Sequence, residues 1–134
     1  MKIKSNKIDR VFSICIRLRD EVCQWCGRED GTLQCSHIFG RRNMGTRWHP
    51  DNAKCLCFSC HRKWHESPVD AFKWVEQYLG EGLLDIVREA ARTPRKLSPQ
   101  DKAEIYEHYK AEEKRLRELR NKGVQGKLEL ENPM

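Results

Sequence analysis

Cys23-Gln24-Trp25-Cys26-Gly27 and, about 30 residues later, Cys57-Phe58-Ser59-Cys60-His61 are the two stretches on which the fold of this chain turns. Each is a Cys-x-x-Cys unit. Zinc favours four thiolate or imidazole ligands in a tetrahedron, and two such units at this separation can close one shell around an intervening hairpin. Gly27, directly after the first pair, can take the positive φ that a tight knuckle needs. The expectation is one structural zinc held by Cys23, Cys26, Cys57 and Cys60. A shell in which His49 or Cys55 replaces one thiolate is the alternative. Seven cysteines make an odd count, which fits metal ligation better than a paired disulfide framework. No secretory leader is expected, so the thiols are read as cytoplasmic and reduced.

Working outward, 134 residues suffice for one modest core and hardly for two. With 38% hydrophobic and 34% charged residues that core is small, and a metal staple is the usual remedy. The net charge of +6 and a pI near 9.0 favour a polyanionic partner. The apolar run at residues 11–16, bounded by Arg10 and Arg17, is far too short to span a bilayer, so no membrane association is expected.

Ile8, Val11, Phe12, Cys15, Ile16 and Leu18 recur mostly at three- and four-residue intervals, predicting a helix over 5–20 that packs on the zinc-bound core. Residues 32–38 alternate as a strand, with Leu33, Cys35 and His37 on one face, and 52–56 are the returning strand. Cys35 and Cys55 are expected on neighbouring strands. Between the strands lies a loop over 39–51, rich in Gly, Arg and Asn. A short helix over 58–66 is launched from the second cysteine pair. Ser67-Pro68 and Ser98-Pro99 each read as a capping serine before a first-turn proline. Helices are predicted over 69–79, 83–91 and 99–121, with a linker at 93–96. The last helix has only Ile105, Tyr109 and Leu116 as sparse apolar positions and reads as solvated, and the tail over 122–134 reads as frayed. The fold class is therefore α+β: a helix over 1–20, a zinc-stapled core over 21–67, a helical extension over 68–121, and a disordered tail.

His61 and His65 are four apart on the predicted helix, so their imidazoles share one face and can grip a single cation. His37 ends the first strand and Asn52 opens the second. In order, His37, Asn52 and His61 with His65, set among the two cysteine pairs, resemble the HNH endonuclease family. Its ββα-metal site is often built on a treble-clef zinc scaffold. The resemblance implies that His37 is the general base, that Asn52 ties the long loop around it, and that His61 and His65 hold the catalytic cation. A second zinc site built on Cys35 and His37 would remove the base. The position before the base departs from the family: Ser36 stands where many members place Asp or His. Water, Ser36, Asp51 or Glu66 remain open as the completing ligand, and an oxygen-rich shell favours Mg²⁺ or Mn²⁺.

A narrower likeness is to the phage recombination nucleases of the NinG/Rap type. It extends over Phe12-Ser13, Ile16-Arg17-Leu18-Arg19-Asp20, Gly40-Arg41-Arg42, Thr46-Arg47-Trp48 and the helices from Phe72 to Leu119. It departs at His61, where members often carry asparagine. The likeness implies cutting of branched or displaced-strand DNA, alongside a recombinase, in the cytoplasm of a bacterial host. In that setting Arg41, Arg42 and Arg47 would bind phosphates and Trp48 would stack on an unpaired base. The competing reading of Trp48 is a packed core residue. Two other functions stay open: a non-catalytic zinc-finger DNA-binding or assembly protein, and an HNH partner of a phage packaging motor.

Overall fold

The computed structural model describes residues 5–134. The first four residues of the expected 1–20 segment lie outside the described residues. In chain order the elements are α1 (Lys7–Asp20), β1 (Leu33–His37), a 3-10 turn (Pro50–Asn52), β2 (Ala53–Cys57), α2 (Phe58–Glu66), α3 (Pro68–Leu79), α4 (Glu81–Arg92) and α5 (Pro99–Asn121). The architecture is α+β, with five α-helices and one two-stranded antiparallel sheet among the described residues.

Local chemistry explains where the helices begin. Asn6 and Asp9 form a reciprocal capping box at α1: the Asn6 side chain accepts from the Asp9 N–H at 2.9 Å, and Asp9 accepts from the Asn6 N–H at 3.0 Å. Ser98 and Asp101 repeat the device at α5. Ser67 precedes Pro68 as expected but makes no side-chain cap bond, so proline alone marks that start. At its other end α1 stops on Glu21 with φ of 66°. There the Arg120 guanidinium donates to the carbonyls of Leu18 and Arg19, each at 2.9 Å, satisfying acceptors that the helix leaves open.

The hairpin pairs Leu33 with Cys57, Cys35 with Cys55, Ser36 with Lys54 and His37 with Ala53. Strand alternation sends Cys35, His37 and Ala53 towards α1. Gln34, Ser36, Lys54 and Leu56 lie on the opposite face, under α2. The larger core joins Ile8, Val11, Phe12, Cys15 and Ile16 of α1 to Ile105, Tyr109 and Leu116 of α5, around a buried Trp48. The smaller gathers Leu56, Leu33, Trp25, Trp64 and Trp74 about the cysteine cluster. Trp74 of α3 stacks on Trp25 of the knuckle, with ring centroids 5.0 Å apart. The helical extension is thereby packed directly onto the core segment.

Two expectations need correction. α5 is not solvated all round: Ile105, Tyr109, Glu112 and Leu116 form a narrow buried seam that makes it the main partner of α1. Nor is the tail frayed. Leu128 N–H donates to the Arg19 carbonyl at 2.9 Å, Arg115 to the Glu129 carbonyl at 2.7 Å, and His108 to the Glu131 carbonyl at 2.7 Å. Leu128, Leu130 and Met134 pack against the larger core, so the tail binds through apolar contact as well as hydrogen bonds.

Candidate active site

The Sγ atoms of Cys23, Cys26, Cys57 and Cys60 all lie within 4.8 Å of one another. Zinc–sulfur bonds of about 2.3 Å in a tetrahedron require sulfurs about 3.8 Å apart. The Cys26 and Cys57 sulfurs stand at 3.7 Å, so the set fits a shared metal ion such as zinc. The knuckle closes as expected: Gly27 adopts φ of 80°, and its N–H donates to the Cys23 carbonyl at 2.8 Å. The Gln24 N–H donates to the Cys55 carbonyl at 2.9 Å, fastening the knuckle to β2. Cys57 caps α2, its sulfur accepting from the Cys60 N–H. Burial works to raise the Cys23 thiol, but N–H groups of Cys26, Cys57 and Trp25 outweigh it and bring the pKa down to about 7, favouring a thiolate ligand. His49 is instead occupied at the 3-10 turn, where Nδ1 accepts from the Asp51 N–H at 3.1 Å.

Beside this cluster, a cleft of about 670 Å³ is lined by His37, His61 and His65 together with Ser36, Arg41 and Asp9. The loop and hairpin position His37. Its Nε2 lies 3.1 Å from the Arg47 carbonyl, which can only accept, so Nε2 carries the proton and Nδ1 the lone pair. Burial, above all, pushes the His37 pKa down to about 4, leaving the ring neutral near pH 7.

Asn52 holds the loop that supplies that carbonyl. Fully buried, it accepts from the Phe39 N–H at 2.8 Å and donates to the carbonyls of Phe39 and Thr46, each at 3.0 Å. On its outer side the loop docks on the end of α4, where the Asn43 amide donates to the Ala91 carbonyl. Arg19, also buried, donates to the carbonyls of Pro50 and Ala53 at 2.8 Å and pairs with Asp20 at 2.7 Å. It thereby clamps both ends of the 3-10 turn to α1.

On α2 the Nε2 atoms of His61 and His65 face each other at 3.2 Å. Two imidazoles bound to one ion at about 2.0–2.1 Å would bring their nitrogens about 3.0–3.4 Å apart, so the pair has the bite of a chelate. Gln34 Oε1 lies against His61 Nδ1, and by accepting its proton would leave Nε2 free to ligate. No third His, Cys, Asp or Glu ligand joins them among the described residues. Glu66 pairs with Arg62 at 3.0 Å, Asp51 lines a separate cavity beside Arg19, and Ser36 accepts from Lys54 at 3.0 Å.

The four residues expected to meet DNA part company. Arg41 lines the cleft, 3.5 Å from Asp9, and Arg42 is exposed on the loop. Arg47 and Trp48 are buried. Arg47 donates to Asp9 at 3.0 and 2.6 Å, and Trp48 Nε1 donates to the same carboxylate at 2.9 Å. Trp48 is a core residue and not a platform for a base; the packed alternative is the one found. A carboxylate buried at the start of α1 needs several donors, and these residues supply them. Although burial works to raise its pKa, the Arg47, Asn6 and Trp48 hydrogen bonds hold Asp9 below the usual carboxylate value.

Asp9, Gln34 and Lys54 are site residues that the sequence reading did not single out. Asp9 was visible only as the last residue of an Asn-x-x-Asp capping box. Lys54 was visible as a lone charge inside the apolar run Ala53-Lys54-Cys55-Leu56-Cys57. Compared with family models, with curated proteins and with solved structures, the chain matches none.

Proposed function

We propose that the protein is a metal-dependent endonuclease of the HNH kind, hydrolysing phosphodiester bonds in DNA on a treble-clef ββα-metal core. The observation that carries this reading is the shared cleft: a neutral imidazole, its tautomer set by the Arg47 carbonyl, lines the same space as a histidine pair spaced for chelation. Among the described residues no helix is long and apolar enough to cross a membrane.

In this reading His37 Nδ1 removes a proton from a water molecule as the oxygen attacks phosphorus, and the bond to the 3′ oxygen breaks. The Arg47 carbonyl keeps His37 in the productive tautomer, and Asn52 keeps that carbonyl in place. His61 and His65 would hold a divalent cation, Mg²⁺ or Mn²⁺, which would supply positive charge against the negative charge developing on phosphorus and on the leaving oxygen. Arg41 adds positive charge along the path of the strand. A zinc ion held by the four cysteines would be structural, joining the knuckle to α2. Branched or displaced-strand DNA, with a recombinase nearby in a bacterial cytoplasm, is the substrate setting that the NinG/Rap likeness implies.

The short ligand set at His61 and His65 favours one second reading, a zinc-finger DNA-binding protein without catalysis. The test separating them is incubation of purified protein with linear duplex, flap, D-loop and four-way-junction DNA in Mg²⁺, Mn²⁺ or EDTA. Cation-dependent cutting, strongest on branched forms, is expected; binding without cutting under every metal would leave the second reading standing.

A further inference from the structure

Lys54 has no part in the chemistry above, and its surroundings are unusual for a lysine. Its side chain is wholly buried on β2, opposite Ser36 in the hairpin register. Nζ donates to Ser36 Oγ at 3.0 Å and sits 3.2 Å from the centre of the Trp64 ring. Among the described residues no carboxylate forms an ion pair with it. A lysine removed from water without an anion is costly, and a methionine would fill the same volume without that cost. Burial accordingly pushes its pKa well below that of an ordinary lysine. An anion arriving nearby would offset the penalty.

Ser36 offers the route. It lines the cleft that holds His37, His61 and Arg41, whereas Lys54 lies behind it. A hydroxyl oxygen that already accepts from an amine still has its own proton to donate. Lys54 is also close enough for its charge to act on both histidines: burial first and then Lys54 lower the pKa of His37, and burial, His65 and then Lys54 lower that of His61.

We propose that Ser36 and Lys54 form an anion subsite for a phosphodiester, in which the Ser36 hydroxyl donates to a non-bridging phosphate oxygen and Lys54 supplies the balancing positive charge. The choice of a phosphodiester rests on the nuclease reading; the anion subsite itself requires no cleavage. Ser36 then has a positive function at the position where many HNH enzymes carry a further metal ligand. Ser36 is the binding residue and Lys54 the positioning residue.

The test uses the zinc-loaded full chain without Mg²⁺ or Mn²⁺. Inorganic phosphate and bis(4-nitrophenyl) phosphate are titrated into wild type, Lys54→Met, and the Ser36→Ala, Lys54→Met double variant, with binding read by calorimetry. The double variant leaves no unpartnered polar group and decides the matter if the single one loses its cooperative unfolding. About tenfold or greater weakening is expected in each, the loss of a charge-assisted hydrogen bond. Mn²⁺ affinity, read by electron paramagnetic resonance, should hold or rise in Lys54→Met, because a like charge near His61 is gone. A purely structural defect would weaken both ligands, and that result overturns the proposal. So does equal phosphate affinity in all three proteins, or no phosphate binding by wild type. Phosphate binding that depends on Lys54 in a protein that cuts no DNA would keep this inference and remove the nuclease. Cutting with unchanged kcat and KM in Lys54→Met would do the reverse.

Discussion

His37 concentrates the chemistry of the proposed site in one ring, since its protonated nitrogen is committed to the Arg47 carbonyl and the other keeps a lone pair that stays unprotonated near pH 7. His37→Ala should lower DNA cleavage on the order of 10²–10⁴-fold, the usual contribution of a general base. DNA affinity and zinc content should stay near wild type. Single-turnover cleavage beside an equilibrium binding assay checks both, and undiminished cleavage would remove His37 from the mechanism. The same ring makes stability depend on pH. Its folded pKa of about 4 lies below the unfolded value near 6.5, so between these values the unfolded chain binds more protons. Stability from this group is fully present above about pH 6.5 and is lost as pH falls towards 4. Urea titrations of wild type and His37→Gln across that window should show a shallower acid loss in the variant. Parallel curves would mean that His37 does not titrate as its burial implies.

At the scale of elements, the loop over residues 39–49 is held from two sides. Asn52 secures its inner edge, and Asn43 with Gly45 secures its outer edge against the end of α4. A Cβ on Gly45 would run into the Ala90 carbonyl oxygen, a backbone atom that cannot swing away. Gly45→Ala should therefore destabilise by about 1–3 kcal/mol, the usual cost of overpacking. It should also reduce cleavage, because the displaced loop carries both Arg41 and the carbonyl that orients His37. Thermal unfolding with kcat measured on one substrate tests this; a variant unchanged in both would show that the loop yields freely.

For the whole molecule, the cysteine cluster and the tail are the two long-range fasteners. Structural zinc contributes folding free energy, so Cys57→Ser, or chelation, should unfold the knuckle, hairpin and α2 together. Circular dichroism with metal analysis would record it, and a cooperatively folded, zinc-free variant would contradict it. Removal of residues 124–134 should lower stability by about 2 kcal/mol or more, because Leu128, Leu130 and Met134 cover the larger core. Unchanged denaturant unfolding of the truncated chain would return the tail to the frayed state that its composition suggests.

How much of this was written locally follows from the range of each interaction. The cysteine spacing, the Gly27 turn, the α1 and α5 caps and the four-residue spacing of His61 and His65 depend on neighbours along the chain, and the sequence determined them alone. The cysteine set came together without His49 or Cys55. Tertiary structure decided what local pattern cannot encode. Arg47 and Trp48 look like a basic, aromatic binding surface until Asp9, 38 residues earlier than Arg47, draws both inward. α5 has too thin an apolar seam to announce a partner, and only α1 gives the seam something to cover. Lys54 is an ordinary strand residue in sequence; the helix laid across its face makes it a buried charge. Burial and charge pairing act between segments far apart in the chain, and so the cleft belongs to the fold.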